Sequence, residues 1–132
     1  MTVLTDLAAI RARFLSGFDI VNIQTVYDNA PAQTINDREP WVRFGINPND
    51  TVRETFGTSG IHSYHGFIWL QVFVPNDEGV KEAYTIASAF ADVFRNWRGS
   101  SNNLKCGTES IRQVPNDEYY QLLVQVPYDS FA

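Results

Sequence analysis

The sequence predicts an α+β domain, an antiparallel-rich mixed sheet packed against two main helices with a long projecting β-hairpin. Three observations predict it. The order of elements reads helix, several strands, helix, two strands. The run from Gly66 to Val74 is apolar on both faces except at Gln71, as in a strand at the centre of a sheet. After it, Ala83, Ile86, Ala87, Phe90, Phe94 and Trp97 recur at helical spacing.

The elements follow in chain order. A first helix is expected from Thr5, as N-cap, to Ser16, with Leu7, Ile10 and Phe14 on one face and Gly17 as its stop. Asp6 near its start and Arg11 and Arg13 toward its end suit the helix dipole. Ile20 to Tyr27 is β-branched and reads as a strand, and Asp28 to Pro40 as a loop of Asn, Pro, Ala and Asp. Trp41 to Ile46 alternates Val42, Phe44 and Ile46 against Trp41, Arg43 and Gly45, the pattern of a half-buried strand. Asn47-Pro48-Asn49-Asp50 is expected to turn the chain, and Thr51 to Phe56 to form a second extended piece.

Gly57-Thr58-Ser59-Gly60 is a glycine-bounded turn, and the far arm starting at Ile61 runs into the central strand, Phe67 to Val74. Pro75 to Gly79 ends that strand and opens the second helix, with Asp77, Glu78 and Glu82 near its start, Arg95 and Arg98 near its end and Gly99 as stop. Ser100 to Asn103 is a polar loop. Leu104 to Val114 supplies one more strand, and Tyr119 to Val126 a last one, closed by Pro127.

Composition bounds the function. With 132 residues and 15.0 kDa the chain is one domain's worth. Hydrophobic residues make up 44% and charged residues 19%, far from the composition of a disordered chain. The net charge of -5 argues against a protein that grips phosphate backbones, and its arginines and lysines are dispersed among more numerous acids. No targeting segment is evident, and the nine-residue run from Gly66 to Val74 is about half of what a membrane span needs. One cysteine, Cys106, allows no intramolecular disulfide and suits a reducing compartment.

Catalytic motifs are missing. His62 and His65, three apart on a strand, point to opposite faces and make a poor metal pair. Gly57-x-x-Gly60 lacks the Lys-Ser/Thr of a phosphate loop. Cys106 is expected as a structural cysteine, Asp77-Glu78 and Asp117-Glu118 as solvated loop charges, and Phe67, Trp69, Phe73, Phe90, Phe94 and Trp97 as core.

The hairpin from Asp50 to Gly66 remains. Its seventeen residues offer few core positions, so much of it is expected to project, as a hairpin does when another subunit covers it. A mobile surface hairpin is the plain alternative.

The helix Leu7-Ala8-Ala9-Ile10-Arg11-Ala12-Arg13-Phe14, the strand Pro40-Trp41-Val42-Arg43-Phe44 and the run Gly66 to Pro75, followed by Gly79 and the pattern Ala83, Ile86-Ala87, Ala91, Phe94, span nearly the whole chain. In order, spacing and chain length the sequence resembles the tail terminator (tail completion) proteins of long-tailed bacteriophages and related gene transfer particles. The resemblance implies a virion structural protein with no enzyme activity and no cofactor or metal. It implies a hexameric ring on the end of the tail tube that stops tube polymerisation and offers a surface to the head–tail connector proteins.

The implied partners are further copies of the chain, the tail tube protein and the connector. DNA would pass through the ring unbound, helped by acidic charge, and no membrane would be involved. The implied location is the tail–neck region of the virion, after assembly in the host cytoplasm. Within the hairpin, Arg53, Glu54, Phe56, Ile61, His62, Tyr64 and His65 are the candidate subunit or tube contacts. A neighbouring neck protein, such as a head-completion or connector adaptor, is the alternative. A small-molecule-binding domain with Trp69, Trp97, His62, His65 or Cys106 in a pocket is a further one.

Overall fold

The computed structural model describes residues 2–18, 23–28, 39–53, 62–76, 80–99 and 104–131. Two helices lie on one face of a six-stranded mixed sheet. In chain order these are α1 (Thr2–Gly17), β1 (Gln24–Tyr27), β2 (Trp41–Arg53), β3 (His62–Pro75), α2 (Val80–Phe94), β4 (Lys105–Cys106), β5 (Ser110–Val114) and β6 (Tyr119–Phe131). The strands run β1-β2-β3-β6-β4, with β5 also on β6. β1 and β2 are parallel and the other pairs are antiparallel.

Alternation builds the core. Val42 and Phe44 of β2, Ile68, Leu70, Val72 and Val74 of β3, and Leu122, Val124 and Val126 of β6 are buried beneath the helices. Ile10 and Phe14 of α1 meet them from above, Phe14 stacking on Phe44 with ring centroids 4.0 Å apart. Ala83, Ile86, Ala87, Phe90 and Phe94 form the buried stripe of α2 that the sequence spacing predicts. The two helices are tied by Arg13, whose Nε donates to Val93 O at 2.9 Å.

Several boundaries differ from expectation. α1 begins at Thr2 and not at a Thr5 cap, so Asp6 lies beyond its first turn, where it is a buried polar residue. Gly17 belongs to the helix. A Cβ there would lie 3.0 Å from Val93 Cγ1, so close helix approach is what the glycine serves. β1 occupies the second half of the predicted Ile20–Tyr27 strand, and 20–22 lie outside the described residues, as do most of the 28–40 loop and residues 77–79 and 100–103.

The predicted turn at Asn47–Asp50 is instead an irregularity within one continuous strand. The register shifts between Pro48, opposite Gly66, and Asp50, opposite His65, so one extra residue is absorbed as a bulge. α2 ends at Phe94, short of Trp97 and Gly99. Asn96 adopts a left-handed conformation with φ 55°, the helix-ending geometry that asparagine tolerates. Trp97 follows the helix and packs on the core from there.

The predicted Leu104–Val114 strand is split into β4 and β5, both on β6. β6 passes through Pro127 to Phe131 rather than closing at it. Gly107 N donates to Pro127 O at 2.9 Å, so Pro127 turns its backbone groups toward the β4–β5 side, where the edge is interrupted. Its missing N–H therefore costs no ladder bond.

β3 is the middle strand, yet the helices cover only one of its faces. Phe67 and Trp69, expected in the core, lie on the other face. Phe67 is 37% exposed, and Trp69 is half-buried over Gly45. On the same side Trp41 stacks on Phe73 with centroids 4.0 Å apart, and Tyr119 abuts both rings edge-on.

Candidate functional site

The sheet extends into the base of the predicted hairpin. β2 and β3 stay paired out to Arg53 and His62. The sequence reading has a large part of the hairpin Asp50–Gly66 project; within it, the arm from His62 to Gly66 is flanked on its other side by β6, from Ser63 opposite Phe131 to Gly66 opposite Tyr128. The arm is thus interior to three strands, because β6 continues past Pro127 to meet it. Glu54, Phe56 and Ile61, with the turn 57–60, lie outside the described residues.

The remaining candidates are placed by strand alternation. His62 and Tyr64 sit two apart on one face, their ring centroids 6.5 Å apart, and His65 takes the opposite face. His65 is held from two sides. Its Nδ1 lies 2.5 Å from Asp129 Oδ1 and its Nε2 lies 3.1 Å from Ser63 Oγ. A carboxylate oxygen only accepts, so Nδ1 carries the hydrogen toward Asp129.

Serine, histidine and aspartate in that order have the connectivity of a nucleophile, base and orienting acid. Burial separates this cluster from that chemistry. Ser63 is fully enclosed, so its hydroxyl meets no incoming group, and the three side chains join β3 to β6 as a structural relay. Among the described residues no group of three His, Cys, Asp or Glu side chains is placed to hold a metal ion.

Beside this relay lies a cleft of about 180 Å³, lined by Asp6, Asn49, Thr51, Tyr64, His65 and Tyr128 among others. Gly66 lets Tyr128 and the β2 backbone approach closely beside it. A Cβ there would lie 2.6 Å from Asn47 O and 2.7 Å from the Tyr128 ring. Burial, with Asp6 nearby, pushes the Tyr128 phenol up to about 12. Asp6 accepts a hydrogen bond from Ser130, so the first helix is fastened to the last strand just behind the hairpin base.

Ser63, Tyr128, Asp129 and Ser130 escape the sequence reading because it ends the last strand at Pro127. The alternation of Leu122, Val124, Val126 and Tyr128 continues through the proline and is the signal that reaches them. Cys106 is buried as expected, its thiol pushed up to about 12 by desolvation, which makes it a packing residue and not a nucleophile. The candidates Trp69 and Trp97 do not share a cavity. Trp69 lies on the open face of the sheet and Trp97 against the helix-side core.

What the described elements make is a packed sheet with helices on one face and aromatic side chains on the other. A family model for phage tail terminator proteins matches residues 7–128. The chain belongs to the phage tail terminator protein family. Membership makes it a structural component of a phage tail that associates with tail and head components. A solved chain superposes on it with a TM-score of 0.68 at 18% identity, covering 94% of each chain, which shows that the fold recurs at low sequence similarity. No curated protein matches the sequence. No described helix is long and apolar enough to cross a membrane.

Proposed function

We propose that six copies of the chain, each folding as one domain, form a ring on the end of the finished tail tube. The ring stops tube polymerisation and presents a surface to the head–tail connector. The role is mechanical and needs no catalytic group. The family match over residues 7–128 is the observation that carries this reading.

Two features support it. Heterologous contacts between identical subunits close into a ring when the rotation fits, and the hairpin Asp50–Gly66 is an element able to reach a neighbour. His62, Tyr64 and His65 are seated on a strand paired on both sides, so contacts made by them and by Arg53, Glu54, Phe56 and Ile61 would be anchored in the sheet. In the assembled virion the protein occupies the tail–neck region after assembly in the host cytoplasm. The net charge of -5 suits a passage through which DNA moves without being held.

The test is mass by light scattering over a wide concentration range, with and without purified tail tubes, followed by negative-stain imaging. Six-membered rings, or caps on tube ends, are the expected result. Shortening the turn Gly57–Gly60 is expected to leave the fold intact and abolish assembly. A wild-type protein that stays monomeric and ignores tubes would overturn the ring, and normal tail lengths with the shortened hairpin would remove the hairpin from the function.

A further inference from the structure

The helices cover one face of the sheet, and the strand register lays out the other in rows. Arg43, Gln71, Leu123 and Arg112 stand side by side across β2, β3, β6 and β5. Their chain neighbours Val42, Phe44, Leu70, Val72, Leu122 and Val124 are buried beneath the helices, so alternation turns the row to the open side. The flanking rows bring Trp41 and Phe73 on one side of it and Trp69 on the other. No position in these three rows is Asp, Glu or Lys.

A chain with 15 Asp and Glu against 10 Lys and Arg thus carries, on the centre of its open face, arginine as its only charge. Aromatic rings and arginine, with carboxylates and lysines depleted, compose the centre of protein–protein contacts. Single-stranded nucleic acid uses the same residue types where rings stand free to stack on bases. Here the rings lie down. Trp41 stacks on Phe73 with centroids 4.0 Å apart, and Trp69 lies over Gly45. The face suits a protein.

Charge decides which protein. Arg43 reaches Asp28 only at 3.5 Å, and Arg112 is exposed and makes no ion pair among the described residues. The two arginines stand three strands apart, about 14 Å. They call for carboxylates.

The chain has carboxylates to offer. Asp28, Asp92, Glu109 and Asp129 pair with Arg43, Arg95 and His65 of the same copy. Glu39, Glu82, Asp117 and Glu118 make no ion pair among the described residues. Of these, Asp117 and Glu118 are adjacent, both exposed on the loop 115–118 between β5 and β6. Asn116 sets the shape of that loop. Its Oδ1 accepts from the backbone N of Glu118 at 2.9 Å and of Tyr119 at 3.1 Å, and its Nδ2 donates to Gln121 Oε1 at 3.0 Å. Asn76 Nδ2 donates to Asp117 O at 3.2 Å from the end of β3. An acidic loop already held in shape loses little freedom on docking.

We propose that the loop 115–118 of one copy seats on the open face of the next, with Asp117 and Glu118 against the arginine row. The loop and the face are different surfaces, as a head-to-tail contact between identical subunits requires. This rests on the ring reading above and adds a second contact to that of the hairpin.

Charge reversal tests it. Arg112→Glu, and separately Asp117→Arg with Glu118→Arg, are each expected to keep the circular dichroism spectrum of wild type and to lose rings on light scattering. Mixed in equal amounts, the two variants are expected to form rings in which they alternate, because each supplies the charge that the other lacks. Rings from either variant alone, or none from the mixture, would overturn this contact while wild-type rings leave the ring reading standing. Rings from Arg112→Glu that no longer cap tubes would give the face to the tube protein. Rings from both wild type and Arg112→Glu, with a single-stranded oligonucleotide bound by wild type alone, would give it to nucleic acid. Either result overturns the proposal. A wild-type protein without rings would overturn both readings. Should Arg112→Glu fail to fold, Arg112→Gln takes its place, with rings expected only at higher protein concentration than wild type; rings at the wild-type concentration would overturn the contact.

Discussion

Ser130 donates its hydroxyl hydrogen to the carboxylate of Asp6, fastening the last strand to the first helix across 124 positions of sequence. Both residues are buried. A buried carboxylate that loses a donor bears a desolvation penalty, so Ser130→Ala is expected to lower stability by about 1–3 kcal/mol. Urea denaturation measures it. An unchanged midpoint would mean that this fastening contributes nothing.

Gly45 lies under the Trp69 indole, and a Cβ at that position would come within 2.0 Å of Trp69 Cζ2. Gly45→Ala must therefore displace the ring on the open face, at a cost of about 1–3 kcal/mol. The same substitution in a Trp69→Leu background should cost less, and a double-mutant cycle reads the coupling. Equal costs in both backgrounds would show that the indole is not what excludes a side chain.

Arg95, just past the end of α2, donates to both oxygens of Glu109 at 2.6 and 2.8 Å. These bonds hold the Glu109 carboxyl below its ordinary value of 4.5. A carboxyl depressed in the folded state stabilises the fold above its unfolded value and loses that contribution as pH falls through the folded one. The melting temperature of wild type should exceed that of Glu109→Gln at about pH 7, and the gap should shrink as the pH is lowered below the ordinary carboxylate range. A gap independent of pH would contradict this.

Cys106 is pushed up to about 12 by burial, so the folded protein holds almost no thiolate near neutral pH. Thiol reagents are expected to label it at a rate that follows unfolding in increasing urea. Rapid stoichiometric labelling in buffer would show that the thiol is open.

Local patterns make much of this fold legible. The spacing of Ala83, Ile86, Ala87, Phe90 and Phe94 defines the buried stripe of α2, and the alternation of Val42 with Phe44 defines the inner face of β2. Local signals mislead where long-range pairing overrides them. Pro48 and Asn49 read as a turn, and the partner strand turns them into a bulge. Pro127 reads as a strand end, and the interrupted β4–β5 edge lets β6 run past it. The contact between Ser63, His65 and Asp129 depends on that continuation, so it cannot be found while β6 is cut short.

By itself the sequence determined the α+β class, the two amphipathic helices, the central strand and the family resemblance, because these rest on side-chain periodicity within single elements. Only the tertiary structure decided that the hairpin arm is an interior strand and that Phe67, Trp69 and Phe73 of β3 lie on the open face of the sheet and not beneath the helices. Each of these depends on which strand lies beside which, a choice set by burial across the whole sheet and not by any one segment.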